Sequence, residues 1–161
     1  MAEKNSAALT IALPSEREIV MTRAFNAPRR LVFEAWTKPE HLPHWMLGPR
    51  GSTMPACEID LRPGGAWRFV LRMPDGTDLV YKGVYREVVP PERLVSTESW
   101  GGDWPETLNT LILTEKDGKT TITLTVLYPS KEARDAALQT GMQEGVSESF
   151  DRLAEHLRTM A

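Results

Sequence analysis

Apolar and polar residues alternate along most of the middle of the chain, a period that is typical of half-buried β-strands. The first such segment is residues 18–25 (EIVMTRAF). Further alternating segments, separated by the turn formers RPGG, MPDGTD, VVPP and KDGK, are residues 57–61, 67–72, 79–88, 93–100, 106–115 and 120–128. Because consecutive strands joined by short turns pair side by side, the pattern predicts a long antiparallel meander.

Two regions have the helical period instead. After the first strand, residues 31–36 carry one apolar face, and a second short helical turn begins near Pro39. A single long helix is predicted from a cap at Ser130 to the end of the chain. Its apolar face comprises Leu138, Met142, Val146, Ser149, Leu153 and Leu157. The order of strand, two short helices, several strands and one long helix predicts the α+β class.

Gly141 and Gly145 lie four residues apart in this predicted helix, where each glycine costs roughly 0.5–1 kcal/mol relative to alanine. Both glycines are predicted on the helix face of Met142 and Val146, so two positions on that face have no side chain. Two interpretations stay open. The glycines allow either close packing of helix against strand or room for a ligand between helix and sheet.

Composition limits the classes of function. The chain has 161 residues, 41% hydrophobic and 25% charged, which fits a single domain at residues 16–161, with residues 1–15 as a flexible tail or a short extra strand. The net charge of −3 and the interspersed charges argue against a nucleic-acid partner. No long apolar run or leader-like N-terminus is present, which predicts no membrane association, and the single cysteine, Cys57, fits a cytoplasmic location.

Several ordered motifs between Arg17 and Met160 carry a resemblance to a known family: TRAFNAPRRLVFEAWTKPEHLPHW, GPRG, EIDLRPGGAWRFV, PDG, PPERLV, and GMQEG followed by RLAEHL. Together they resemble the SRPBCC (START/Bet v 1-like) superfamily, in the branch named after the activator of heat-shock-protein ATPase. The resemblance implies a helix-grip fold, in which a curved antiparallel sheet wraps around the long C-terminal helix and leaves a cavity. The chain departs from the branch at Met46 and at Val146, where tryptophan is frequent.

The predicted cavity is lined mainly by aromatic residues of the inward strand parity, the first helix and the loop after it. Such a set suits a flat or greasy ligand, and ordinary core packing is the alternative for each member. Glu98 and Asn109 share the parity of Trp100 and Leu111, so they can orient a ligand unless a bulge turns them to water. The predicted ligand-binding residues are Trp36, Trp45, Trp67, Phe69, Tyr81, Tyr85, Glu98, Trp100, Asn109, Leu111, Met142, Gly145, Val146 and Ser149.

No catalytic residue, metal ligand or cofactor is predicted. His41 and His44 lie three residues apart, and Cys57 and His156 are the other candidate ligands, but no CxxC or HExxH pattern accompanies them. The RPGG turn lies between strands and therefore does not begin a phosphate-binding helix.

Three functions compete on this basis. The favoured one is non-catalytic binding of a hydrophobic or aromatic small molecule, such as a lipid or polyketide. The second is a cyclase- or hydrolase-type enzyme acting on a polyketide-like substrate in the same cavity, which an inward, paired Glu98 near a tyrosine hydroxyl would favour. The third is a chaperone-ATPase-activator-like interaction module, which calls for a large exposed patch. A homodimer is a further option, because residues 9–13 (LTIAL) can add to a sheet edge or pair with a second subunit.

Overall fold

One antiparallel sheet dominates the structure, a computed structural model that describes residues 8–48, 50–101 and 104–160. Its strands are β1 (Thr10–Ala12), β2 (Glu18–Phe25), β3 (Thr53–Ile59), β4 (Ala66–Arg72), β5 (Asp78–Val89), β6 (Arg93–Glu98), β7 (Thr107–Lys116) and β8 (Lys119–Leu127). The order across the eight-stranded sheet is β1-β2-β8-β7-β6-β5-β4-β3. The predicted meander is therefore β3 to β8, and it is extended by pairing of β8 with β2.

Three α-helices accompany the sheet among the described residues: α1 (Arg29–Thr37), α2 (Lys131–Gln139) and α3 (Met142–Met160). The sheet curves around α3, which confirms the predicted helix-grip fold of the α+β class. The second of the two predicted short helices is a single 3-10 turn (Leu42–His44), since Pro43 sits at its start and Trp45 closes it with an N–H bond to the Leu42 carbonyl.

The prediction of one continuous C-terminal helix is wrong, because the chain breaks between α2 and α3. Thr140 ends α2, and Gly141 adopts a φ of +77°, in the left-handed region that glycine reaches without steric cost. The Gly141 carbonyl then accepts the N–H of Glu144 in the first turn of α3. Gly141 and Gly145 therefore do not share a helix face, and only Gly145 lies inside a helix.

The N-terminal segment supplies a short edge strand. β1 pairs with β2 in antiparallel register, with Ile11 opposite Met21. The remainder of the segment that was predicted to be a tail, residues 1–7, lies outside the described residues. No helix among residues 8–48, 50–101 and 104–160 is long and apolar enough to cross a membrane.

The hydrophobic core has two parts. The first core lies between the concave face of the sheet, α1 and the C-terminal half of α3, and includes Ile122, Phe150 and Leu153. The second core lies under α2 and consists of the buried residues Ile19, Met21, Val126, Tyr128 and Ala137. Leu124 and Val146 are only half-buried, and they pack against both cores. These two half-buried side chains therefore join the two cores.

Candidate functional site

The concave face changes from apolar to polar along two neighbouring strands. Strand register places Leu94 of β6 opposite Leu111 of β7, Ser96 opposite Asn109, and Glu98 opposite Thr107. Directly paired residues point to the same face of a sheet, so all six lie on the concave side. The predicted inward parity of Glu98 and Asn109 therefore agrees with the register.

The polar inward positions are also less covered than the apolar ones. Ser96, Glu98 and Asn109 are half-buried, and so are the neighbouring Leu124 on β8 and Val146 on α3. These five residues are called the half-exposed strip below. All of its strand residues lie on the concave face, and Leu124 and Val146 pack against both cores.

Glu98 is the ionisable group in the middle of the strip. Its Oε1 accepts a hydrogen bond from Trp100 Nε1 at 3.2 Å. On the neighbouring strand, the Asn109 Oδ1 accepts from Thr107 Oγ1 at 2.9 Å. Burial raises the pKa of Glu98, and the polar side chains of Trp100 and Asn109 oppose this rise.

The hydroxyl and thiol groups around Glu98 hold their protons at neutral pH. Burial raises the pKa of Tyr81 well above its usual value, and the charges of Glu98 and Cys57 add to the effect. Burial, with a smaller effect of Glu98, raises the pKa of Tyr128 to about 12. Burial, followed by the charge of Glu58, raises the pKa of Cys57 to about 11, which disfavours the reactive thiolate. Among these groups, Glu98 is the carboxyl group, and burial shifts its pKa upward.

Trp67 supplies a polar atom with no partner. Its side chain is on the inward face of β4, opposite Gly83 of β5, and the residue is only 5% exposed. Among the described residues, its Nε1 donor is buried and makes no hydrogen bond. Gly83 makes room for the indole, because a Cβ at this position would lie 2.8 Å from Nε1 and 1.8 Å from the Thr97 carbonyl oxygen.

The predicted aromatic residues form two separate groups. Trp36 and Trp45 pack at 4.8 Å between ring centroids, and both contact Phe150 of α3 in the first core. Trp45 is fully buried, and its Nε1 donates to the Ala35 carbonyl at 2.9 Å. The other group lies on β4, β5 and the end of β6 and comprises Trp67, Phe69, Tyr81 and Trp100.

The second aromatic group borders the half-exposed strip. Tyr81 packs edge-on against Trp67 at 5.8 Å and stacks on Trp100 at 4.2 Å with an interplanar angle of 8°. Trp100 is 40% exposed and therefore presents one face of this stack to solvent. Tyr85 is buried on the same concave face, opposite Ser96.

The remaining predicted residues lie on β7 and α3. Leu111 is buried in the first core next to the strip. Met142, Gly145 and Val146 are half-buried in the first two turns of α3. Ser149 is buried and binds a loop instead, since its Oγ accepts the N–H of Gly48 at 2.9 Å.

Three residues near the strip were not predicted to be part of a site. Thr107 and Tyr128 have the inward parity of Asn109 and Val126, so the alternation that identified Asn109 was also sufficient to find them. Arg23 is the third, a buried arginine on the concave face of β2 whose Nη1 donates to Asp151 of α3 at 2.9 Å. Its partner is on a distant helix, so no sequence signal identifies the pair.

All three histidines of the chain meet at the opposite end of α3. His41 Nδ1 and His156 Nε2 are 3.0 Å apart, and His44 stacks on His156 at 4.8 Å. Burial, then His44 and then His41 lower the pKa of His156. Cys57, the other candidate ligand, lies on the concave face of β3, and the part of the chain that the structure describes holds no group of three or more His, Cys, Asp or Glu side chains placed for a metal ion.

Two solvent-open grooves flank α3 on its outer sides. One, of about 670 Å³, lies between β1 and α3 and includes Ile11, Arg23 and Asp151. The other, of about 680 Å³, lies beside His44 and His156. Neither groove is lined by a predicted ligand-binding residue, and both are open surface depressions.

A curved antiparallel sheet that grips a C-terminal helix, with a half-exposed polar strip on its concave face, defines a helix-grip protein of the SRPBCC type. The family described as Activator of Hsp90 ATPase homolog 1-like protein matches residues 26–158. The chain belongs to this family, and the predicted resemblance is confirmed.

Solved structures of other proteins are similar over nearly the whole chain. A protein from Rhodobacter sphaeroides is 30% identical with a TM-score of 0.88, and the match covers 96% of this chain and 100% of that one. A protein from Nitrosomonas europaea is 25% identical with a TM-score of 0.82, over 92% of this chain and 98% of that one. An AHSA1-like protein from Aeromonas hydrophila, 18% identical with a TM-score of 0.69 over 86% and 94% of the two chains, is similar in fold alone. A search of curated proteins found no match.

Proposed function

We propose that the protein binds an apolar or aromatic small molecule between the concave face of the sheet and the N-terminal half of α3. The observation that carries this proposal is the half-exposed strip, whose inward-facing side chains are only half-buried although Leu124 and Val146 pack against both cores. A ligand in this space would remove the exposed apolar surface of Leu124 and Val146 from water, at roughly 25 cal/mol per Å².

The composition of the strip and its border supports this kind of ligand. Small-molecule sites are mostly apolar and contain a few polar groups that fix orientation. Here the apolar walls come from β8 and α3, and the polar groups are Ser96, Glu98 and Asn109. The stacked pair of Tyr81 and Trp100 adds a flat aromatic surface at the border.

Thermal-shift screening with flat aromatics, flavonoids, lipids and sterols tests the proposal. A ligand at about 100 times its Kd stabilises the folded state by about 2.7 kcal/mol, or roughly 5–10 °C in Tm for a domain of this size. We expect one class to produce such a shift in the wild type. Val146→Trp should fill the strip and abolish the shift, whereas Arg158→Trp, at an exposed position of α3, should preserve it.

The free Tm of each variant shows whether it is folded before ligand is added. No shift with any ligand class would contradict the proposal. An unchanged shift in a folded Val146→Trp variant would equally exclude the strip as the binding site.

A specific observation also supports an acid–base enzyme acting in the same place. Glu98 faces inward, accepts a hydrogen bond from Trp100, and lies near enough to Tyr81 and Tyr128 for its charge to add to the rise in pKa that burial causes in both. A raised pKa brings a carboxyl group closer to the working range of a general acid or base at neutral pH. A cyclase- or hydrolase-type reaction of a polyketide-like substrate is the corresponding proposal.

Mass spectrometry of each stabilising ligand after incubation with the protein tests this second function. Turnover in the wild type and its loss in Glu98→Gln, with binding retained, is the expected result for an enzyme. Unchanged ligand mass after long incubation would leave binding as the function and contradict catalysis.

The sequence carries three further expectations. Activation of a chaperone ATPase, which the family description names, stays a lower-ranked prediction. A homodimer formed through the edge strand β1 and a cytoplasmic location also stay predictions.

A further inference from the structure

We propose that the three histidines form an acid-sensitive clasp, which holds residues 41–48 against α3 at neutral pH and releases them when the rings become protonated. The clasp is the cluster of His41, His44 and His156, and residues 41–48 are called the clasp segment below. The inference does not depend on the half-exposed strip, because Val146 lies about 15 Å along the helix from His156 at 1.5 Å per residue.

The clasp segment closes one end of the first core. Leu42 and Trp45 are fully buried in that core, and Met46 and Leu47 are half-buried against it. The backbone N–H groups of residues 41, 42 and 44–47 bond to carbonyls at most four residues away in the chain. A segment with such local hydrogen bonds can open while the sheet stays folded.

Polar contacts fasten the clasp segment to α3 at both of its ends. At the C-terminal end, the N–H of Gly48 donates to Ser149 Oγ at 2.9 Å, and the Gly48 carbonyl accepts from Arg152 Nη1 at 2.9 Å. At the N-terminal end, the three histidines meet. Only the histidines change charge between pH 7.5 and 5, because hydroxyl, backbone and guanidinium groups do not titrate in this range. Acid therefore acts on one of the two fastenings.

The contact between His41 and His156 requires that one of the two rings stays neutral. His41 Nδ1 and His156 Nε2 are 3.0 Å apart, which is a hydrogen-bond distance. One of these nitrogens donates the bonded proton, and the other accepts it through a lone pair. A ring that is protonated on both nitrogens has no lone pair to accept with. The two rings therefore cannot both be charged while this hydrogen bond exists.

The contact between His44 and His156 opposes a second charge through repulsion. The two rings are stacked with their centroids 4.8 Å apart and an interplanar angle of 9°. Neutral rings pack favourably at this distance, whereas two imidazolium rings repel each other. Burial, then His44 and then His41 lower the pKa of His156, in agreement with this arrangement. Full protonation thus removes a hydrogen bond and adds repulsion.

The carboxylates around the clasp do not compensate its charge. Glu34, Glu58, Glu148 and Asp151 are each paired with an arginine. Within residues 8–48, 50–101 and 104–160, no ion pair links a carboxylate to a histidine. The charged groups of the surrounding elements are Arg29, Arg30, Glu34 and Lys38 of α1 and its end, Glu40 and Arg50 of the loop, Glu58 of β3, and Glu148, Asp151, Arg152, Glu155 and Arg158 of α3.

Hydrogen exchange of backbone amides measures the opening of the clasp segment directly. After correction for the intrinsic effect of pH on exchange, the opening constant of this segment in the wild type should rise at least about tenfold from pH 7.5 to 5, because each proton taken up on opening contributes up to about tenfold per pH unit. The amides of β7 and β8 report unfolding of the whole sheet and should change much less.

His156→Gln tests the histidine that both others contact. Glutamine keeps a polar side chain that does not titrate, so the opening constant of the clasp segment should become nearly independent of pH over this range. Lys38→Gln is the control, since it removes a positive charge at an exposed position beside the segment and should keep the wild-type rise. Exchange of β7 and β8 at pH 7.5 shows whether each variant is folded.

The wild-type profile decides the inference without relying on any variant to fold. An opening constant of residues 41–48 that does not change between pH 7.5 and 5 would overturn the clasp. An equal rise in β7 and β8 would assign the acid response to unfolding of the whole protein and would overturn it too. A rise that persists in a folded His156→Gln variant would assign the response to other groups. None of these results bears on ligand binding at the strip, which the thermal-shift screen tests separately.

Discussion

The first core and the half-exposed strip are built on the same strands, yet they differ in chemistry and in coverage. Leu94, Leu111 and Ile122 are buried in the first core. The neighbouring inward positions on the same three strands, Ser96, Asn109 and Leu124, belong to the strip and are half-buried. The sheet backbone continues unchanged from one to the other, so the sheet alone does not explain the difference.

The helix that faces these strands changes in the same direction. Its C-terminal half presents Phe150, Leu153 and Leu157 to the first core, and all are almost fully buried. Its N-terminal half presents the small residues Gly145 and Val146, which are half-buried. Smaller side chains fill less of the space between helix and sheet, so the N-terminal half leaves the strip accessible. Helix side-chain volume therefore contributes to which part of the concave face is core and which part stays half-exposed.

The largest expected effect compares leucines in the two regions. Leu153→Ala removes a fully buried side chain from the first core and should lower the free energy of unfolding by about 2–5 kcal/mol. Leu124→Ala in the strip should cost only about 1 kcal/mol, because the side chain is half-exposed already and water can enter the space. Urea denaturation of both variants measures the difference. Equal losses would mean that the strip is packed as tightly as the core.

The tryptophans give the next largest contrast. Trp45→Phe removes a donor that satisfies the Ala35 carbonyl, whereas Trp67→Phe removes a buried donor that has no partner among the described residues. The ring volume lost is the same. We expect Trp45→Phe to lower the free energy of unfolding by roughly 1–3 kcal/mol more than Trp67→Phe, a range typical of a lost hydrogen bond and an unpaired buried group. A greater loss for Trp67→Phe would show that its N–H has a partner in solution.

Glu98 should reduce the stability of the folded state at neutral pH. Burial raises its folded pKa above the usual 4.5, so the native state binds more protons than the unfolded state. Stability therefore falls as pH rises from about 4.5 through the folded pKa. Glu98→Gln should raise Tm at pH 7, and the gain should vanish near pH 4. A Tm of Glu98→Gln below that of the wild type at pH 7 would contradict the destabilising role of the Glu98 carboxyl group.

The histidine cluster, which lies outside both regions, should give the smallest effect. His41 and His44, at the two ends of the 3-10 turn, contact His156. The charged groups of the adjoining groove are Arg50, Glu148, Asp151, Arg152 and Glu155. The folded pKa of His156 is lower than 6.5, so the native state binds fewer protons than the unfolded state and stability falls as pH drops below about 6.5.

Thermal unfolding between pH 7.5 and 5 measures this effect. His156→Gln should flatten the decline in Tm over this range and leave the affinity of the strip for its ligand unchanged. A decline as steep as in the wild type would assign the acid sensitivity to other groups.

Local sequence patterns were sufficient to predict most secondary-structure elements and the face of the sheet to which most strand side chains point. Strict alternation at residues 106–115 and 120–128 predicted β7 and β8 and the inward position of Asn109, because successive side chains of a strand must point to opposite faces. The periodicity failed at Gly141, where a left-handed backbone conformation separates two helices although the apolar pattern continues through this position. A pattern of side chains carries little information on a single backbone angle, and glycine permits both a continued helix and a left-handed break.

The sequence by itself determined the strands, the class of fold and the parity that turns Glu98 toward α3, because these depend on neighbours along the chain. Only the tertiary structure decided that Trp36 and Trp45 lie in the first core while Trp67, Tyr81 and Trp100 border the strip, and that all three histidines meet. These groupings depend on contacts between residues far apart in sequence, and on the volume that α3 leaves between itself and the sheet. Neither quantity is contained in a local pattern.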